Sequence, residues 1–364
     1  MKSPHVWLRS ETKTFERRTP LTPGCARELV AAGFEVTVER CDQRIYDDDA
    51  YQRAGCRLTE PGRWPEASKD TIILGLKELP EDSFPLVHAH IYFAHAYKEQ
   101  EGWRELLARF TKGGGRLYDL EYLVDEDQRR IAAFGYWAGF AGAAIGLLAW
   151  AKQQGGARPP LGKLSAFENK NRLIEEVSDS LAKSGTRPRV LVIGAKGRSG
   201  RGAVDAATAA GLEVVPWDLE ETRGGGPFAR INAMDILVNC VFVNGPLPPF
   251  LTEAQLRLPG RRLSVIVDVS CDVHSRFNPL PVYSRGTDFR EPCLELIAGE
   301  HPLDLIAIDH LPTLLPVESS EDYSRQLLGH LLTLGDRSNP VWDNALRIFQ
   351  QKSAALAANI KEPQ

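Results

Sequence analysis

The chain has 364 residues, of which 43% are hydrophobic and 25% charged, and its formal net charge is −4. This length favours two domains, and the acidic balance without a dense Lys/Arg run argues against a nucleic-acid partner. The six cysteines are scattered and form no Cys-x-x-Cys pair, a pattern typical of reduced thiols. The first residues lack the apolar segment of a signal peptide, so the expected location is cytoplasmic.

The first third of the chain alternates short strands with helices. The predicted strands are 5–8, 35–38, 71–76, 90–93 and 116–120, and the predicted helices are 24–32 and 101–112. This alternation predicts a parallel, doubly wound sheet, in which ligands bind outside the carboxyl ends of the strands. Cations and one histidine follow these strands: Arg9, Lys13, Arg17, Arg18, Lys77, His95, Lys98, Arg129 and Arg130. Each alone would more often be a solvated surface residue, but together they predict a site for an anionic substrate with acid–base chemistry.

Three histidines in this region could also suggest a metal site. His88 and His90 alternate onto one face of a predicted strand, and His95 follows it. No cysteine or carboxylate is spaced to complete a ligand set, so we expect no metal.

A stretch of 21 residues, 131–151, carries no charge and is long enough to span a membrane. Gly135, Gly139, Gly142 and Gly146 form a stripe along one face of the predicted helix. Such a stripe suits helix pairing in a bilayer or close packing in a protein interior. Because α/β segments flank the stretch on both sides, we expect a buried helix between two domains.

The segment 188–222 is typical of half of a dinucleotide-binding fold. It contains, in order, a strand at 190–193, Gly194, Gly197 and Gly200, a helix at 202–210, a strand at 213–217 and Asp218. The glycines let backbone N–H groups approach a pyrophosphate. A carboxylate at 218 accepts ribose hydroxyls and repels a 2′-phosphate, which favours NAD over NADP. The nearby Arg223 weakens this preference. The glycine pattern itself departs from the usual fingerprint, because the first two glycines stand three apart instead of two.

Further elements are predicted on both sides of this segment and toward the end of the chain. A helix is expected at 167–183, and strands at 235–239, 263–269 and 305–308. The residues that follow these strands should surround the nicotinamide: Asn239, Ser270, Asp272, Asp309 and His310. Amphipathic segments at 320–334 and 341–359 have no strands of their own, so we expect them to cover the first domain.

Segments along nearly the whole chain resemble, in one order, a known family. They are 11–23 (ETKTFERRTPLTP), 72–78, 84–98, 117–121, 129–144, 190–205 (VLVIGAKGRSGRGAVD), 217–228, 267–272 and 308–316. The family is that of the NAD-dependent, L-lysine-forming saccharopine dehydrogenases of fungal type, grouped with alanine dehydrogenases and transhydrogenase NAD domains. The resemblance implies two Rossmann-like, doubly wound parallel-sheet domains with an inter-domain cleft. We expect the substrate domain at 1–133 plus 311–364 and the NAD domain at 134–310.

The resemblance also implies the oxidative cleavage of saccharopine to L-lysine and 2-oxoglutarate with NAD, with Lys77 and His95 as catalytic residues. The implied substrate contacts are Arg18, Lys98, Gln100, Arg130, Phe134, Ser270 and Asp272. The implied cofactor contacts are Arg129, Gly194, Gly197, Arg198, Gly200, Asp218, Thr222, Phe242, Val269, Ile308, Asp309, His310 and Leu311. A monomer acting on a small molecule is expected.

Ser199 is a departure from the fungal pattern, because fungal members carry cysteine there; no thiol at this position can face Cys240. Three alternatives stay open: a related opine or amino-acid dehydrogenase such as one using alanine, a non-catalytic NAD-sensing module, and a membrane-anchored protein. The number of cations favours a substrate with two or three carboxylates, and the presence of both Lys77 and His95 argues against a sensor.

Overall fold

The computed structural model describes residues 3–97, 101–241, 243, 245–273, 275–336 and 339–361, with side chains up to 356. The chain divides into two compact units, Met1–Ala133 with Ser319–Gln364, and Phe134–Glu318. This division places 311–318 in the second unit, whereas the sequence analysis assigned these residues to the first domain.

The first unit is built on a six-stranded sheet in which every neighbouring pair is parallel. Its strands are β1 (His5–Leu8), β2 (Glu35–Glu39), β3 (Arg57–Thr59), β4 (Ile72–Leu74), β5 (Ala89–Tyr92) and β6 (Arg116–Asp119). Its first helices are α1 (Pro23–Ala31), α2 (Asp48–Arg53) and α3 (Trp103–Gly113). The strand order is β3-β2-β1-β4-β5-β6, so the winding direction changes between β1 and β4. That switch point is where such sheets bind ligands.

The second unit has its own sheet, with the order β11-β12-β10-β9-β7-β8. Its strands are β7 (Val190–Ile193), β8 (Val214–Trp217), β9 (Ile236–Asn239), β10 (Val265–Asp268), β11 (Leu294–Ile297) and β12 (Leu303–Ile306). Its helices are α4 (Gly135–Gln154), α5 (Lys170–Ser184), α6 (Arg198–Ala209), α7 (Leu219–Thr222) and α8 (Glu253–Leu256). The edge strand β11 is antiparallel and the remaining pairs are parallel. The predicted α/β class with two doubly wound sheets is confirmed.

The uncharged stretch is helical only from Gly135, and its helix α4 belongs to the second unit. The helix begins two residues after the boundary between the two units at Ala133/Phe134, and most of its residues are buried. Helix α4 packs against α5, α6, β9 and β10, and the glycine stripe makes this contact possible. A methyl group on Gly139 would lie 2.6 Å from the carbonyl carbon of Ser199 in α6. Among the described residues, no helix combines the length and apolar composition needed to cross a membrane.

The last two helices are α9 (Pro316–Leu331) and α10 (Pro340–Lys361). From Ser319 onward the chain belongs to the first unit, and α10 packs on β6 and α3. The expectation that the terminal segments return to the first domain is confirmed. Strands β3 and β11 escaped prediction because they are short, carry charged residues and are only partly buried, so no apolar run marks them.

Candidate active site and nucleotide site

A buried ion pair lies in the loop after β1, at the switch point of the first sheet. Arg18 Nε donates to Glu16 Oε1 at 2.8 Å and Arg18 Nη2 donates to Glu16 Oε2 at 2.6 Å. The two side chains are 3% and 2% exposed. Burial acts to raise the pKa of Glu16, but Arg18 and Lys77 outweigh it and the pKa lies below its ordinary value. Arg18 thus already binds a carboxylate of its own chain.

Lys77 follows β4, the neighbour of β1 in the sheet. Its burial lowers the pKa of the ammonium group, and the positive charges of Arg18 and Lys13 lower it further. The carboxylates of Glu16 and Glu78 act in the opposite direction and offset part of the effect. The net shift makes the neutral amine available closer to neutral pH, which is the property that a lysine base requires.

His95 follows β5 and lies between two carboxylates. Its Nε2 is 3.6 Å from Glu78 Oε1 and its Nδ1 is 3.7 Å from Glu121 Oε2. The backbone of His95 has a positive φ of 52°, which is uncommon for a residue other than glycine. Its ring stacks on Phe93 at a centroid distance of 6.3 Å. A histidine held between two carboxylates can exchange a proton with a bound molecule while its ring orientation stays defined.

Glu78 connects the lysine and histidine parts of this cluster. It also pairs with Lys13 at 3.4 Å. Burial acts to raise the pKa of Glu78, but a backbone hydrogen bond and the charges of Lys13, Lys77 and His95 outweigh it and lower the pKa. Lys77 and His95, predicted separately from the sequence, are therefore electrostatically linked.

Asp119, the last residue of β6, was not recognised from the sequence as a site residue. Burial, reinforced by the charge of Glu121, raises the pKa of Asp119 to about 6. Its Oδ1 accepts a hydrogen bond from the backbone N–H of Glu121 at 3.0 Å. Asp119 thus fixes the turn that carries Glu121 toward His95. An acid at the end of a strand was the available signal.

The remaining cationic residues predicted for this edge are placed differently. Arg129 is 77% exposed and pairs with Asp127 at 3.4 Å. Arg130 is exposed, and its backbone forms an isolated bridge with Val124. Arg17 is exposed as well. Lys98, Gln100 and Phe242 lie outside the described residues.

His88 and His90 belong to a buried aromatic cluster. The ring of His90 packs edge-on against Trp64 at 5.1 Å and against Phe110 at 5.3 Å. Burial, together with the neighbouring His88, holds the pKa of His90 well below its ordinary value, so this ring is neutral in the folded state. Within the described ranges, no group of three or more His, Cys, Asp or Glu residues could hold a metal ion.

The glycine loop of the second unit joins β7 to α6. Gly194 has a φ of 82°, and a methyl group there would lie 2.8 Å from Val241 Cγ2. A methyl group on Gly200 would lie 2.6 Å from Ala195 Cα. Gly197 is the residue immediately before the helix, and α6 begins at Arg198, four residues earlier than predicted. The loop therefore forms a narrow backbone turn that leads into a helix N-terminus, as a pyrophosphate site requires.

Asp218 follows β8 and precedes α7, beside this loop. Its Oδ2 accepts the backbone N–H of Lys196, in the glycine loop, at 2.8 Å, and its Oδ1 accepts that of Leu219 at 2.9 Å. The carboxylate is thus oriented by the two segments that would surround an adenosine ribose. Thr222 is buried, and its hydroxyl donates to Asp218 O at 2.7 Å.

Asp268, the last residue of β10, organises the predicted nicotinamide end and was missed by the sequence analysis. Its Oδ1 accepts from Ser270 Oγ at 2.6 Å and from Asn239 Nδ2 at 3.0 Å. Its Oδ2 accepts from the Tyr283 hydroxyl at 2.6 Å. Ser270 is consequently held in place by a fully buried carboxylate. The signal in the sequence was an acid at the end of an apolar run.

The other residues predicted for the second unit are of two kinds. Ile308 and Leu311 are buried in the core that contains α4. The remaining residues are half-buried or exposed: Phe134, Arg198, Val269, Asp272, Asp309 and His310. His310 packs edge-on against Phe289 at 4.6 Å.

The fold and the two sites define a class of protein. Residues 7–141 match the family model "Alanine dehydrogenase/PNT, N-terminal domain". Among solved structures, an L-alanine dehydrogenase superposes with a TM-score of 0.67, covering 97% of this chain and 99% of that chain at 18% identity. The chain therefore has the two-domain dehydrogenase fold of that group.

Curated relatives narrow this class to one family. A saccharopine dehydrogenase (NAD(+), L-lysine-forming) of Schizosaccharomyces pombe is 47% identical over 362 residues, covering 96% of this chain and 98% of the relative. The enzyme of the same name from Emericella nidulans is 48% identical over 373 residues, covering 98% and 99%. This chain belongs to the family of NAD(+)-dependent, L-lysine-forming saccharopine dehydrogenases.

Proposed function

We propose that this protein catalyses the NAD-dependent oxidative cleavage of saccharopine to L-lysine and 2-oxoglutarate, and the reverse condensation. The observation that carries the proposal is the electrostatic cluster at the edge of the first sheet, where a lysine of lowered pKa and a histidine share Glu78. The near full-length identity to enzymes of that name supports the same reaction.

The reaction breaks three bonds of the substrate: a C–H bond, an N–H bond and a C–N bond. A hydride leaves the α-carbon of the glutarate part and the adjacent amine loses a proton, which forms a C=N bond. Water adds to that carbon, and the C–N bond then breaks to release the lysine amine and a ketone. NAD supplies the hydride acceptor when it is bound. The chain itself must remove the amine proton, guide the water and return a proton to the departing amine.

Lys77 and His95 are suited to these proton transfers. Lys77 takes the amine proton, because burial and the neighbouring cations lower its pKa. His95 serves the water and the departing amine from its position between Glu78 and Glu121. Since Lys77 must be neutral to act as a base, the rate of oxidative cleavage should rise as pH increases through its pKa. Because that pKa is lowered, the rise should begin below the pH range of an ordinary lysine.

The residues of the second unit fit NAD. Side chains at Gly194 and Gly200 would collide with neighbouring atoms, and the Asp218 carboxylate is held by the backbone N–H groups of Lys196 and Leu219. Asp268 holds Ser270 at the edge proposed for the nicotinamide. The first unit would supply acid–base groups and substrate contacts, and the second would supply the nucleotide site.

The proposal includes a monomeric, cytoplasmic enzyme of lysine metabolism. All six cysteines are free, which supports a reducing compartment. Size-exclusion chromatography with light scattering measures the mass directly, and a dimer mass would contradict the monomer.

The test is a spectrophotometric assay for nicotinamide reduction by the purified protein. Saccharopine should give rapid reduction, whereas L-alanine and other opines should give little. Reduction with another opine but not with saccharopine would keep the reaction type and overturn the substrate. Tight NAD binding without reduction by any of these compounds would instead support a sensor.

A further inference from the structure

The main chain of Lys77 is held by two side chains from the loop after β1. Glu11 Oε1 accepts the backbone N–H of Leu76 at 2.7 Å, and Glu11 Oε2 accepts that of Lys77 at 2.9 Å. Arg9 Nη2 donates to the carbonyl oxygen of Lys77. Strand β4 has ended at Leu74, so Lys77 lies beyond the sheet ladder. The N–H and the C=O of Lys77 are therefore both satisfied by side chains.

Arg9 and Glu11 are themselves buried and in contact with each other. Their side chains are 2% and 6% exposed, with Arg9 Nη1 3.5 Å from Glu11 Oε2. The guanidinium carbon of Arg9 lies 5.6 Å from the centre of the Tyr92 ring. Gly75 leaves the space for Arg9, because a methyl group there would come within 2.6 Å of Arg9 Nη2. Burying such a pair costs desolvation energy that hydrophobic residues would not cost, so stability alone does not account for it.

We infer that Arg9 and Glu11 are positioning residues that clamp the main chain of Lys77, so that its amine is held in place among Glu16, Arg18 and Glu78. The inference rests on the proposed function of Lys77 as the base. A displacement of about 1 Å in a reacting group costs roughly 100-fold in rate. A lysine side chain is long and flexible, and a fixed main chain removes one source of that displacement.

The first test is Glu11→Gln, which keeps the shape but replaces one acceptor by an amide donor. We expect kcat for saccharopine oxidation to fall about 10- to 100-fold, with little change in KM and in the Kd of NAD. The matched control is Asp235→Asn in the second unit. Asp235 also accepts a main-chain N–H, that of Arg189 at 2.8 Å, and pairs with Arg262 at 2.9 Å. The Asp235→Asn variant should be less stable than the wild type but should retain its kcat.

A second variant, Gly75→Ala, displaces Arg9 without removing a charge and should lower kcat in the same way. Gly75→Ala also tests the inference if Glu11→Gln does not fold. Combination with Lys77→Met separates positioning from a general structural effect, because residues that act through one another are not additive. In the Lys77→Met background, Glu11→Gln should cause no further loss of kcat.

The inference is overturned if Glu11→Gln and Gly75→Ala turn over like Asp235→Asn, or if Glu11→Gln and Lys77→Met lose activity additively. Its failure is distinguishable from failure of the proposed function. Loss of turnover in Lys77→Met with full turnover in both clamp variants removes only the clamp. Full turnover in Lys77→Met removes the base, and with it the role given to Arg9 and Glu11.

Discussion

The contact between α4 and α6 links the stability of the second unit to nucleotide binding, and Gly139→Ala tests it. The added methyl carbon would lie 2.6 Å from the Ser199 carbonyl carbon and would overlap its oxygen. Carbon atoms pack at about 3.5–4.0 Å, so the two helices must separate by about 1 Å. Because backbone meets backbone, no side chain can rotate away. We expect the free energy of unfolding to fall by an amount in the upper part of the usual overpacking range of about 1–3 kcal/mol.

The consequence should be visible in two measurements. A loss of about 3 kcal/mol corresponds to a decrease of roughly 6–12 °C in the Tm of a unit of this size, measurable by calorimetry. Ser199 lies in the first turn of α6, so its displacement moves the N–H groups proposed to bind the pyrophosphate. We expect the Kd of NAD to rise about tenfold, since a helix N-terminus binds phosphate through those groups.

Gly162→Ala is the matched control, because a methyl group at that position meets no heavy atom within 4 Å. Its free energies of unfolding and of NAD binding should equal those of the wild type within about 0.5 kcal/mol. The reasoning is refuted if Gly139→Ala has the same Tm as Gly162→Ala and binds NAD with wild-type affinity.

Three further substitutions test the other assignments. Lys77→Met should lower turnover by about two to four orders of magnitude while NAD still binds; unimpaired turnover in stopped-flow traces would exclude it as the base. Asp218→Ala should weaken NAD and narrow its advantage over NADP, as measured by kcat/KM for each, and an unchanged ratio would place the ribose elsewhere. Because burial lowers the pKa of His90 in the folded state, the wild type should lose stability as pH falls below about 6.5, by up to about 1.4 kcal/mol per unit. In urea titrations between pH 7 and 5.5, His90→Leu should lose less unfolding free energy than the wild type. The control variant at the exposed His301, His301→Gln, should lose as much as the wild type. If the unfolding free energies of the wild type and His90→Leu depend equally on pH, the buried ring takes up a proton in the folded state.

Much of the fold could be predicted from the sequence because its signals are local. Buried parallel strands are short apolar runs, and β7 and β1 were predicted to the residue. The glycine loop and Asp218 could also be recognised in the sequence, because a tight backbone turn of this kind needs glycines at fixed positions. The membership of the chain in its family followed from motifs of this kind.

The helix α4 shows the limit of such signals. Its uncharged sequence indicates that the helix is buried but does not indicate which elements it packs against. The pairing of Gly139 with Ser199 depends on the close approach of two helices, and this approach assigned α4 to the core of the second unit.

The electrostatics of the candidate active site were decided only by the tertiary structure. The sequence pointed to Lys77, His95 and Arg18, but not to the pairing of Arg18 with Glu16 or to the main-chain clamp by Arg9 and Glu11. A pKa and a hydrogen bond depend on burial and on distances between side chains, and loops after different strands bring these groups together. Residue types and strand ends determined which groups stand at the edge of the sheet; packing determined which charges they meet.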